Sequence, residues 1–146
     1  MTNEHSYRVF SESIAKKLIS MSLEGMDAVK VTSAPDWWPE APEGMFSPQT
    51  LFVSASGSCL ILSLFKVAER MRIDFKHATV DALGEMEEVD GVWKFEKITL
   101  NAKVIIDDES LRPKMEKAVK MAHDFCPIQN SLGMPSILNY EIHVEE

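Results

Sequence analysis

The sequence predicts an α+β domain, and three observations carry that expectation. Ile98, Leu100, Ala102, Val104 and Ile106 alternate with Lys97, Thr99, Asn101 and Lys103, the period of a strand with one buried face. The stretch after Pro48, QTLFVSASGSCLILSLFKVAERMRI, has no breaker except Gly57 and is apolar nearly all round, as in a central helix packed on several sides. A second helical face recurs at Met115, Ala118, Val119, Ala122 and Phe125, between two alternating segments.

The remaining elements follow in order. Tyr7 to Ser33 reads as three short strands, YRVFSES, AKKLISMS and AVKVTS, with a turn at LEGMD. Ala34 to Pro48 holds four prolines and a glycine, which forbid regular structure, so a loop carrying Trp37 and Trp38 is expected there. FKHATVDALGEMEE and VWKFEKITLNAKVII flank Asp90-Gly91, a strong two-residue hairpin signal. Ser110 can cap the second long helix, with Pro113 in its first turn and Lys114, Lys117 and Lys120 on its polar face. That helix should stop at or before Cys126, because Pro127 disfavours helical geometry in the residue preceding it. ILNYEIHVEE closes the chain as a strand, with Leu138, Tyr140, Ile142 and Val144 inward.

Composition limits the function. A chain of 146 residues, 45% hydrophobic and 26% charged, suits a single globular domain spanning 1–146. A net charge of −8, with lysines scattered among glutamates, argues against a nucleic-acid partner. MTNEHSYRVF has no basic region followed by an apolar run, which makes the cytoplasm the expected location. Met45 to Phe65 is interrupted by proline, glutamine and serines, so a buried helix is expected and no membrane span. The acidic run GEMEEVDG reads as a solvated hairpin end.

The two cysteines are the candidates for chemistry. Pro127 is well placed to start a new turn, PIQNSL, so Cys126 becomes its cap and receives free backbone N–H groups at its sulfur, a setting that stabilises thiolate. Cys59 lies about three turns into the central helix, too far from its N-terminus for the helix dipole to activate it. Phe52, Ala55, Ser56, Leu62 and Ser63 are expected on its face. Both cysteines also fit as small buried hydrophobes, and the spacing does not decide between packing and reactivity. His123 and Cys126 have a spacing that suits a metal, yet a zinc site needs more ligands than spacing supplies, so no metal is expected.

SPQTLFVSASGSC, with its proline eleven residues before a helical cysteine, followed far downstream by CPIQNSL, resembles the OsmC/Ohr family of thiol-dependent peroxidases. The likeness runs from about Tyr7 to Val144. It implies an α+β OsmC-like fold, antiparallel strands around a long central helix, assembled as an intertwined homodimer whose sites draw on both chains. It also implies that Cys59 attacks an organic hydroperoxide to give a sulfenic acid and that Cys126 resolves it as a disulfide. A lipoyl-type or other dithiol would then restore the thiols, with no cofactor.

The sequence departs from the family at the groups beside the sulfur. Where peroxidatic members carry a glutamate after the motif proline, this chain has Gln49 and Thr50, and the position of the partnering arginine falls at Lys17, or Lys16 if the turn differs by one. A lysine lowers a thiol pKa as a point charge but lacks arginine's planar fork. Lys17 freed from a carboxylate could turn wholly to the sulfur; on a strand it could equally be a solvated rim residue. Gln49, Trp37, Trp38 and Phe52 are the expected substrate-binding residues. The tryptophans could wall in an organic peroxide as a lid, or anchor the loop or the dimer contact. The rival expectation is an OsmC-like ligand-binding or thiol-sensing protein without efficient peroxidase activity.

Overall fold

The computed structural model describes residues 4–145; the first three residues of the N-terminal stretch read above and Glu146 of the closing segment lie outside them. Contacts divide the chain into two compact units, Met1–Phe52 and Val53–Glu146.

The first unit is a three-stranded antiparallel sheet in the order β1 (Phe10–Ala15), β2 (Leu18–Ser22) and β3 (Val29–Thr32). Ala15 pairs with Leu18, which leaves Lys16 and Lys17 as a tight turn rather than strand residues, and Lys17 takes the left-handed φ of 62°. A lysine is disfavoured there. The turn is held by Thr32, whose hydroxyl donates to the Lys17 carbonyl at 2.7 Å. The proline-rich loop is ordered by its own hydrogen bonds, Trp37 and Trp38 N–H to the Ala34 carbonyl and Ala41 N–H to that of Trp38. It returns to the sheet where Thr32 N–H donates to Phe46 O at 3.1 Å. Helix α1 (Pro48–Met71) then starts from a reciprocal cap: Thr50 N–H donates to Ser47 Oγ, and Ser47 N–H to Thr50 Oγ1. Proline at the first helical position and threonine in the place of the usual capping-box glutamate complete this start.

The second unit is a sheet in the order β4 (His77–Val89), β5 (Val92–Ile106) and β6 (Ser136–Val144), with α1 and α2 (Arg112–Phe125) contributing to one apolar core. β4 and β5 pair antiparallel about Asp90 and Gly91, both at positive φ as the hairpin signal predicts. β6 departs from the antiparallel expectation and runs parallel to β5, because a helical crossover, not a hairpin, connects them. The inward residues of β5 named above are buried at its centre, and Leu138, Tyr140, Ile142 and Val144 of β6 turn inward as expected.

Four local expectations are corrected. The entry to α2 is capped by Asp108, whose carboxylate accepts from Ser110 N–H at 2.7 Å, so Ser110 lies inside a 3-10 turn (Glu109–Leu111) rather than at the cap. Phe125 is 68% exposed, whereas Met115, Ala118, Val119 and Ala122 are buried. Helix α1 buries one face, Ser56, Gly57, Leu60, Leu64, Val67 and Ala68, and leaves Leu62 and Phe65 exposed. By length and composition α1 is apolar enough to cross a membrane despite its proline, glutamine and serines, and the packing of Leu60, Leu64, Val67 and Ala68 in the core accounts for that apolar content here.

Of two glycines where α1 lies on the sheet, only one is needed for the close approach. A Cβ at Gly84 of β4 would overlap Val53 of α1 and the Phe95 ring, whereas one at Gly57 would meet Ala82 Cβ at an ordinary 3.5 Å. Gly84→Ala is therefore expected to destabilise the fold by about 1–3 kcal/mol through overpacking. Gly57→Ala should be neutral or stabilising by up to about 1 kcal/mol through helix propensity. Denaturant midpoints of the two variants check this contrast.

Candidate redox site

The local rules around Pro127 build the site. α2 ends at Phe125, Cys126 is extended at φ −68° and ψ 121°, and a short helix α3 (Pro127–Ser131) starts at once, so Cys126 closes one helix and opens the next, as the sequence predicts. Its side chain is completely buried. Cys59, partly exposed on α1, faces it: the two Sγ atoms are 2.7 Å apart, and both cysteines are free thiols. Of the residues expected on the Cys59 face, Ser56 is buried and Ser63 Oγ lies 3.9 Å from the sulfur, whereas Leu62 is 68% exposed on another side of the helix.

A buried polar chain holds α3 on α1. Gln129 Nε2 donates to the Ser56 carbonyl at 2.9 Å, one turn before Cys59. Ser136 Oγ donates to Gln129 Oε1 at 2.7 Å, and His123 Nε2 lies 3.0 Å from the same Ser136 oxygen. Because that hydroxyl spends its proton on Gln129, His123 Nε2 is the donor of the pair. Gln129 and Ser136 were not foreseen from the sequence. The only signal was a buried-helix glutamine three residues after Cys126, which spacing alone does not distinguish from a solvated one.

The two thiols differ in acidity. Burial pushes Cys59 above the ordinary thiol value and the neighbouring Cys126 adds to this, while the Ile128 N–H and Ser63 hydroxyl pull weakly the other way. Burial also works against ionising Cys126, but the neighbouring Cys59, the nearby Gln129 and Ile128 N–H groups and Ser63 outweigh it and bring its pKa below the ordinary value.

In the first unit, Lys17, Trp38 and Gln49 line one cavity of about 370 Å³ together with Ile19, Val31 and Pro48. The expectation that Lys17 is released from carboxylates is corrected: its Nζ lies 2.7 Å from Glu40 Oε1 and 4.1 Å from the centre of the Trp38 ring. Lys16, the alternative, is exposed. The Lys17 hydrogen bond in turn holds the Glu40 carboxyl below its usual value. Gln49 Oε1 is buried with no hydrogen-bond partner among the described residues. Trp37, Trp38 and Phe52 are each a little under half exposed, at 39%, 42% and 38%.

Two free thiols meeting at a helix break, carried on an α+β scaffold, form a candidate site. The sequence profile of the family described as OsmC-like protein matches residues 41–141, and the chain belongs to that family. No curated protein matches it. Among solved structures, an OsmC-like protein of unknown function from Vibrio cholerae superposes with a TM-score of 0.85 at 19% identity, over 94% of this chain and all of that one. An organic hydroperoxide resistance protein OsmC from Legionella pneumophila gives 0.71 at 14% identity, over 97% and 100%. An organic hydroperoxide resistance protein from Elizabethkingia anophelis gives 0.72 at 15%, over 97% and 99%. At these identities the structures establish a shared OsmC-like fold.

Replacing Gln129 by Leu leaves the buried Ser56 carbonyl and Ser136 hydroxyl without their partner, and a cost of about 1–3 kcal/mol is expected. The same change should loosen α3 and slow closure of a Cys59–Cys126 disulfide by diamide, compared with the wild type, while circular dichroism stays native. Thiol counting over time measures it.

Proposed function

We propose that this protein reduces organic hydroperoxides through a Cys59/Cys126 cycle, in which Cys59 is oxidised to a sulfenic acid and Cys126 converts it to a disulfide. The observation that carries this reading is the 2.7 Å approach of a partly exposed sulfur to a fully buried one. An oxidant reaches Cys59 first, and the resolving thiol is already within bonding reach, so no rearrangement precedes the disulfide. The names of the Legionella and Elizabethkingia relatives supply the substrate class.

Gln49, Trp37, Trp38 and Phe52 are assigned to substrate binding. The cavity at Gln49 and Trp38 has apolar walls and one open acceptor, Gln49 Oε1, which suits an organic molecule carrying an O–H donor. Lys17, engaged by Glu40, acts in this reading through a lysine–glutamate pair in place of the family's arginine–glutamate pair. The exposed Leu62 and Phe65 on α1 and Phe10 and Ile14 on β1 offer apolar surface for a homodimer. The reductant is a lipoyl-type or other dithiol of the cytoplasm.

A second reading is a slower thiol sensor, and the upward shift of Cys59 favours it, since a neutral thiol is a poor nucleophile. Intact mass of the reduced protein after one equivalent of cumene hydroperoxide separates the two. Loss of two hydrogens within seconds, with a sulfenic acid accumulating instead in Cys126→Ser, is expected. Oxidation no faster than that of a free thiol would leave the sensor reading.

A further inference from the structure

The polar chain that joins α3 to α1 has a fixed direction. The Ser56 carbonyl can only accept, so Gln129 Nε2 faces it at 2.9 Å and Gln129 Oε1 faces Ser136. The Ser136 hydroxyl carries one proton and gives it to that Oε1 at 2.7 Å. What remains on the hydroxyl oxygen is acceptor capacity, and His123 Nε2 lies 3.0 Å from it. The imidazole therefore keeps a proton on Nε2. With the proton on Nδ1 instead, Gln129 Oε1 and His123 Nε2 would compete for one hydroxyl proton, and the loser would go unpaired away from water. The neighbouring polar groups leave Nε2 to Ser136. Asp124 Oδ1 is 4.0 Å from Nδ1 with its side chain solvated, Lys120 is turned over the Tyr140 ring, and Asn130 Nδ2 on α3 donates to the Asp124 carbonyl.

We propose that His123 is a positioning residue of the dithiol: the proton on its Nε2 commits the Ser136 hydroxyl to Gln129 and so keeps α3, with Cys126 at its start, against α1. The three hydrogen bonds run from α2 through β6 and α3 to the backbone of α1, and they end one turn before Cys59. The same histidine sits in the last turn of α2, where the Cys126 N–H meets its carbonyl at 3.5 Å. His123 is thus tied to Cys126 by backbone on one side and by the polar chain on the other. Moving one proton from Nε2 to Nδ1 would draw the Ser136 hydroxyl away from Gln129 and loosen α3 with no change of residue. The assignment deepens the proposed cycle at its resolving step and rests on that reading for the peroxide alone, because disulfide closure by any oxidant needs the same placement of the sulfurs.

The reduced wild type gives the first test. Long-range proton–nitrogen correlation of the neutral imidazole is expected to show His123 protonated at Nε2; a proton on Nδ1 would overturn the proposal. Substitution gives the second. In His123→Gln the amide can still donate to Ser136, whereas the carboxylate of His123→Glu can only accept. Amide exchange at Asn130 and Leu132, whose N–H groups bond to the Cys126 and Gln129 carbonyls, should keep its wild-type rate in His123→Gln. In His123→Glu it should rise by about 10-fold. Disulfide closure by diamide, which takes up two electrons and the thiol protons as the S–S bond forms, should slow in His123→Glu alone. Ser136→Ala removes the hydroxyl through which His123 acts, so in that background the two variants should behave alike. Equal rates for the two variants beside Ser136, or a difference that persists in Ser136→Ala, would overturn the assignment. Diamide needs no peroxidase, so a retained contrast between the variants with slow oxidation by cumene hydroperoxide would count against the peroxidase reading alone.

Discussion

The contact on which the second unit's chemistry depends is that between α3 and α1, fixed by Gln129 reaching the Ser56 carbonyl. Without it, only the packing of α2 against α1 in the core would hold the Cys126 sulfur against Cys59. An amide in the interior is stable only when both its ends are satisfied, and here Ser136 and Ser56 satisfy them. The polar chain therefore acts as a locator: it costs desolvation, and the helix pair it joins is held in one register. Pro127 contributes from the other side by ending α2 and setting the start of α3 in the same two residues.

The core beneath supports this placement by ordinary packing. The buried face of β5 meets residues from α1 and α2 in one apolar cluster, and Gly84 keeps β4 free of a side chain that would push α1 away. Since close-packed interiors transmit displacements rather than absorb them, a shift of α1 would move Cys59 directly. The parallel pairing of β6 with β5 matters for the same reason. It brings Ser136, at the start of β6, to Gln129 and His123, so the last strand carries one link of the polar chain.

Much of this was legible in the sequence, and the exceptions have physical causes. The β5 alternation, the Asp90-Gly91 turn and the helix break at Cys126 were readable because each follows from a local rule of period, positive φ or proline sterics. Phe125 was misplaced because a helical face drawn from spacing says nothing about what lies opposite its last turn. Lys17 was read as a strand residue because a lysine at positive φ contradicts propensity, and only tertiary partners such as Thr32 stabilise it. Glu40 as its carboxylate lies 23 residues away in a proline-rich loop, beyond any local pattern. The pairing of Cys59 with Cys126 came from family resemblance, and the 2.7 Å approach of their sulfurs is a tertiary contact across 67 residues that no local pattern shows.

The most direct measurement is the redox equilibrium of the two cysteines in dithiol/disulfide buffers of graded poise, read by intact mass and peptide mapping. A single two-electron transition to an intrachain Cys59–Cys126 disulfide, reversed completely by dihydrolipoamide, is expected. Cysteines that stay reduced in excess oxidant, or that cross-link different chains instead, would contradict the claim that the fold holds these two sulfurs as one redox centre.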